Sequence, residues 1–198
     1  MAPDPEKYKQ LDTRSLRGLA HPLRVRILGL LRAEGPATSA RLAKRLAEDS
    51  GNISWHLRQL ANTGFITEET ELGTRRERWW RAAHDYTRFD IGDFLDDPET
   101  RGPVRTLVRE VIELDFQRAL AYSGQAWPRE WAEAAGFNSV LLRLTPTELK
   151  DLLAELLGTV GRYDADREPE GAGDVLIHIH GFPRPDEEEG PATAGSGT

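Results

Sequence analysis

The stretch Thr38-Ser39-Ala40-Arg41-Leu42-Ala43-Lys44-Arg45-Leu46-Ala47-Glu48-Asp49-Ser50-Gly51-Asn52-Ile53-Ser54-Trp55-His56-Leu57-Arg58-Gln59-Leu60-Ala61 decides the fold. Leu42, Ala43 and Leu46 recur at helical spacing behind Thr38, a residue type that caps helix N-termini. Asp49 caps a second helix, on which Ile53, Leu57, Leu60 and Ala61 make one apolar face, and Gly64 lies just past its end. Two short helices, over 38–47 and 49–63, therefore meet across a tight turn at Ala47-Glu48.

Upstream, Leu16, Leu19 and Ala20 form a short apolar face. Pro22 follows His21 and suits a helix first turn. Val25, Ile27, Leu28, Leu30 and Leu31 continue that helix until Gly35-Pro36 closes it. Downstream the period changes from 3.6 to 2. Phe65–Thr70 reads as a strand, Glu71-Leu72-Gly73-Thr74 as a turn, and Arg75–Ala82 as a returning strand. Three helices followed by a hairpin make a winged helix.

In such a helix pair the second helix enters the DNA major groove and the first braces it across the backbone. With Ile53, Leu57 and Leu60 facing the core, Asn52, Ser54, Trp55, Arg58, Gln59 and Asn62 point elsewhere. Amides and guanidinium groups read base edges, Arg pairing with guanine and Asn or Gln with adenine. A solvated helix surface would have a similar composition, and the wing shifts the balance. Arg75, Arg76, Arg78 and Arg81 flank a glycine turn, which suits phosphate or minor-groove contact, although charged edge strands also serve to resist aggregation. The candidate DNA contacts are Thr38, Ser39, Arg41, Asn52, Ser54, Trp55, His56, Arg58, Gln59, Arg75 and Arg76. His56 sits between the buried and exposed faces, so packing is its alternative role.

Leu19-Ala20-His21-Pro22-Leu23-Arg24-Val25-Arg26-Ile27-Leu28, and Ile53-Ser54-Trp55-His56-Leu57-Arg58-Gln59-Leu60 followed by Gly64-Phe65-Ile66, resemble ArsR-type winged helix regulators. The resemblance covers residues 14 to 83. It implies a homodimer on a palindromic operator that blocks or adjusts transcription, with Ser54, Trp55, His56 and Arg58 facing DNA. The chain departs from the family pattern at the turn, where Ala47 replaces the usual glycine and Glu48 an apolar residue. Metal-sensing relatives use cysteines near the recognition helix or His/Asp/Glu sets on the dimerisation helix. This chain has no cysteine and no histidine in 103–121, so the resemblance implies DNA binding without metal sensing.

The remainder reads as a separate α+β region. Val104, Leu107, Val108, Val111, Ile112 and Leu114 form a wide stripe on a helix over 103–121, expected to dimerise together with the first helix. Pro128 opens a short helix bearing Trp131. Val140, Leu142 and Leu144 alternate as in a strand, as do Val175, Ile177 and Ile179. Thr145-Pro146-Thr147-Glu148 is a capping box ahead of Leu149, Leu152, Leu153, Leu156, Leu157 and Val160. Tyr122, Trp127, Trp131, Phe137 and Tyr163 could line a pocket for a small organic effector, or simply fill a small core. His178 and His180 share one strand face. Zinc or nickel could use them, but no third ligand is near in sequence and a solvent-facing pair is the simpler reading. No metal or other cofactor is expected.

Apolar residues make up 38% of the chain and charged residues 30%, ordinary values for a globular protein. No apolar run approaches the ~20 residues of a membrane span, and no signal-peptide stretch opens the chain, so a cytoplasmic location is expected. The net charge of −7 hides an asymmetry. Residues 11–90 carry 14 Lys and Arg against 10 Asp and Glu, whereas 91–198 carry 10 against 21. Only the front half suits a polyanion. No phosphate loop, nucleophile elbow or paired-carboxylate motif suggests an enzyme.

The sequence thus predicts an α+β, mainly α chain: a flexible N-terminus over 1–10, a winged helix-turn-helix over 11–84, a linker over 85–101, a dimerisation or sensing region with helices and two strands over 102–183, and a disordered acidic tail over 184–198. The expected function is a sequence-specific DNA-binding regulator of transcription, a repressor, acting as a homodimer on a pseudo-palindromic operator without membrane contact. The alternative is a winged helix used as a protein–protein interaction module.

Overall fold

A computed structural model describes residues 7–72, 77–163 and 169–184. The chain divides into two compact units, one over Asp4–Ala135 and one that takes in Gly136–Thr198. Among the described residues no helix is long and apolar enough to cross a membrane.

The larger unit opens with β1 (Tyr8–Gln10), α1 (Thr13–Leu19) and α2 (Pro22–Ala33). Asp12 and Ser15 form a reciprocal capping box on α1. His21 caps α2 through its ring, with Pro22 in the first turn. Then come β2 (Ala37–Thr38), α3 (Ser39–Leu46), α4 (Ser50–Asn62), β3 (Ile66–Glu68), β4 (Trp79–Ala82) and β5 (Tyr86–Arg88). The wing hairpin pairs β3 with β4 in the register Ile66↔Ala82 and Glu68↔Trp80. The sequence reading missed β2, a two-residue strand too short to show a period, which pairs Ala37 with Trp80 and makes the sheet three-stranded.

Two expectations are corrected in this unit. Residues 8–10 are not frayed: they pair in parallel with β5. The rings of Tyr8 and Tyr86 stack at 5.7 Å, and the Lys9 ammonium lies over the Phe65 ring, so side chains distant in sequence hold a strand that local pattern does not announce. Nor is 85–101 merely a connection. It holds β5, a 3-10 turn over Ile91–Phe94 and the start of α5 (Pro98–Ser123). Phe94, Val104 and Leu107 are buried in the same cluster as Leu16, Ile27, Ile53, Leu57, Leu60 and Phe65, and Thr100 is buried as well. The Thr100 hydroxyl donates to the Phe94 carbonyl (2.8 Å), Arg17 of α1 pairs with Glu99, and Arg118 donates to the Gly29 carbonyl (3.1 Å). The front half of α5 thus completes the winged helix core. Under it, Arg32 donates to the His84 carbonyl and the Thr87 hydroxyl, and burial pushes its guanidinium down to about 10.

The turn between α3 and α4 adopts the left-handed conformation at Ala47 (φ 54°, ψ 44°), a conformation that glycine enters without penalty. An L-residue is strained in that region by roughly 1–2 kcal/mol. Ala47→Gly relieves that strain but loosens the unfolded chain, which offsets about 0.4–1 kcal/mol. The expected net is a gain of about 0.5–1 kcal/mol, read as a higher urea midpoint at unchanged slope. A lower midpoint would mean that the Ala47 methyl group contributes packing exceeding the strain.

α5 is followed by α6 (Arg129–Ala134). The smaller unit holds α7 (Pro146–Val160), opened by the expected capping box of Thr145 and Glu148. The strands expected at 140–144 and 175–179 are not found: these residues carry no regular secondary structure. Alternation is a necessary sign of a half-buried strand and not a sufficient one, because a strand also needs a partner for its backbone. Val140, Leu142, Val175 and Ile177 are exposed. The expected acidic tail, apart from Arg184, lies outside the described residues.

Candidate nucleic-acid interface

α4 is anchored by three side chains that solvent does not reach, Ile53, Leu57 and Leu60. The Asp49 carboxylate accepts from the Gly51 and Asn52 amides, satisfying two donors of the first turn and fixing where the helix begins. Arg14 of α1 donates to the Asn62 carbonyl at the other end, where a cation complements the helix dipole. With both ends and one face held, the outward face is set. Asn52, Trp55, Arg58 and Asn62 are exposed on it, and Ser54 and Gln59 are half-buried at its margins.

Several of these side chains have partners. Asn52 Nδ2 donates to the Glu48 carboxylate (3.3 Å), a contact four residues apart across the start of α4. Any new partner for the Asn52 amide would have to replace that carboxylate. The Ser54 hydroxyl donates back to the Ser50 carbonyl (2.8 Å). Trp55 is 47% exposed, and its ring meets His56 edge-on at 4.7 Å.

Two of the residues proposed from sequence have other places. His56 is only 4% exposed, because its position on the helix turns it toward α2, where its ring lies 4.5 Å from that of His21. It packs beneath the outward face of α4 and is not among the side chains exposed there. Thr38 is buried at the start of α3, and its hydroxyl accepts from the Arg41 amide as an N-cap. Ser39 is half-buried beside it.

Arg41 is exposed, and its guanidinium stacks over the Trp79 ring at 4.5 Å, tying α3 to wing strand β4. Trp79 was not among the sequence-derived site residues; the Trp79-Trp80 pair was the available signal. Trp80 turns the other way and packs against the core. On the wing, Arg78 pairs with Glu68 (3.8 Å) and Arg81 with Glu69 (3.1 Å) across the hairpin. Such exposed pairs contribute little to stability, but they leave the two arginines partly neutralised. Arg75 and Arg76 lie outside the described residues.

The aromatic residues suggested as an effector pocket divide between the units. Tyr122 and Trp127 stack at 5.2 Å, with Trp127 Nε1 donating to the Tyr122 carbonyl, and Trp131 is half-buried. Phe137 and Tyr163 belong to the smaller unit and are exposed. In that unit the His178 and His180 rings lie parallel, 6.2 Å apart.

Residues 19–69 match the family model described as a helix-turn-helix domain. A crystal structure of a possible transcriptional regulator for arsenical resistance is 29% identical over 55% of this chain and 95% of its own, with a TM-score of 0.32. No curated protein matches the chain. The matched segment spans α2, β2, α3, α4 and β3, the elements that build the interface just described. Residues 19–69 form a helix-turn-helix domain, the kind of domain with which transcriptional regulators bind DNA.

Proposed function

We propose that the chain is a sequence-specific repressor that binds a pseudo-palindromic operator as a homodimer, with α4 in the major groove. The observation that carries this reading is the outward face of α4. Three inaccessible side chains pin the helix while Asn52, Trp55 and Arg58 stand exposed in consecutive turns, polar groups suited to base edges with one aromatic for a thymine methyl or a sugar. The exposed Arg41 guanidinium, held over Trp79, supports this reading as a candidate contact to backbone phosphate.

The dimer reading rests on α5. Val104 and Leu107 on one side of its stripe are buried in the chain's own core, with Val111 and Leu114 packed against it. Ile112, Phe116 and Leu120 on the other side are 48–56% exposed, a row at four-residue spacing. Ile112 lines an open groove with Ile91, Leu95 and Val108, edged by Arg105, Arg109 and Glu113, and this surface, extended along α5 by the exposed Phe116 and Leu120, suits the same surface of a second copy.

The test is selection from a random duplex pool, together with sedimentation. The expected motif has two inverted half-sites whose centres lie about one DNA turn, roughly 34 Å, apart, and the protein sediments as a dimer at micromolar concentration. A pool without enrichment would overturn the DNA reading in favour of a protein-interaction module. A monomer would overturn the dimer.

A further inference from the structure

We propose that the His21–His56 pair makes sequence-specific DNA binding by this protein proton-linked, with specificity falling as the pair is protonated. The inference rests on the DNA-binding reading of α4 and adds a form of regulation to it.

His56 belongs to the recognition helix yet is buried, and its Nδ1 has no hydrogen-bond partner. Its ring lies 4.5 Å from that of His21, tilted by 46°, and 4.7 Å from that of Trp55 in a T-shaped contact. His21 is the N-cap of α2, and its Nδ1 accepts from the Leu23 amide (3.1 Å), which requires an unprotonated Nδ1. The two imidazoles thus join the base of α4 to the start of α2, directly behind an exposed candidate base-reading side chain.

The surroundings disfavour charge on this pair. Arg24 of α2 lies beside it with a buried Nε that lacks a partner, and one of its terminal nitrogens donates to the Arg17 carbonyl of α1. The opposing carboxylates are Glu48, on the turn before α4, and Glu110 of α5. Burial is the largest cause holding both histidines below the ordinary value of 6.5. Arg24 adds to it for His21, while His21 and then Arg24 add to it for His56.

The folded protein therefore disfavours a charge on either imidazole, and the pair gains protons at lower pH than an ordinary histidine does. A proton on His21 Nδ1 ends the cap on α2, and a second on His56 sets two cations side by side next to Arg24. Relief comes by shifting α4 away from α2, which carries Trp55 with it. Added positive charge does not weaken attraction to phosphates, so sequence-independent binding is spared.

The experiment measures anisotropy with a duplex selected at pH 8 and with a scrambled duplex, at fixed salt, from pH 8 to 5.5. Circular dichroism is followed on the same samples. Wild-type affinity for the selected duplex is expected to fall about tenfold per unit of pKa difference between the bound and displaced states. Affinity for the scrambled duplex holds or rises, and the fold is retained. His21→Asn keeps a capping oxygen for Leu23 while removing the titrating group, and His56→Gln removes the second; either flattens the profile. His84→Asn leaves it steep and controls for histidine loss in general. The proposal is overturned by a flat wild-type profile, by an equal loss on scrambled duplex, by loss that tracks unfolding, or by variants as pH-dependent as wild type. Failure to select any duplex at pH 8 would instead defeat the DNA reading itself.

Discussion

Leu107→Ala is expected to destabilise the helix-turn-helix domain by about 2–5 kcal/mol, although Leu107 lies well beyond the wing. Its side chain is inaccessible to solvent, as is that of Val104 one turn earlier, and both belong to the cluster that contains Leu57 and Leu60 of the recognition helix. Truncation removes the transfer free energy of the missing methyl groups and leaves a cavity the surrounding helices fill only in part. For a domain with a total of roughly 5–15 kcal/mol, that is a large share. Hydrogen exchange is the direct readout: amides of α4 should lose protection in Leu107→Ala and keep it in Ile112→Ala, which alters the exposed side of the same helix. Unchanged protection of α4 in Leu107→Ala would mean that α5 folds apart from the domain. A fragment ending before α5 should likewise fail to fold stably.

Trp55→Ala and Asn52→Ala are each expected to cost roughly 1–3 kcal/mol on the selected duplex and little on scrambled DNA, because base contacts carry sequence information and phosphate contacts do not. Asn52 offers both halves of its amide once Glu48 releases it, and Trp55 is the large apolar group on an otherwise polar face. Arg41→Ala should weaken both kinds of binding and lower the salt slope of log K by about 1, as one lost phosphate contact does. Its seat on Trp79 makes Trp79→Leu a weaker version of the same change. Folded variants of Trp55, Asn52 and Arg41 that bind as tightly as wild type would remove α4 and α3 from the interface.

Much of this architecture is written in local pattern. The caps at Asp49 and Thr145, the proline at the head of α2 and the switch from period 3.6 to period 2 at Phe65 each act within a few residues, so the chain alone specifies where those elements start. The buried face of α4 follows in the same way, since Ile53, Leu57 and Leu60 can share a core only if Asn52, Trp55 and Arg58 point out. The αL turn at Ala47 is the informative exception. Local preference argues against it, and the packing of α3 and α4 on each other imposes it.

What lay beyond the sequence depended on contacts between distant segments. β1 exists because β5 and the Tyr86 ring lie beside it. His56 is buried because α2 brings His21 to it. The stripe on α5 is legible as apolar, but nothing in its spacing says that Val104 and Leu107 close the core of its own chain while Ile112, Phe116 and Leu120 stay exposed. The alternating residues at 140–144 and 175–179 make the same point in reverse. Periodicity states which side chains can share a face, and only tertiary structure, by supplying or withholding a partner, decides whether that face is covered.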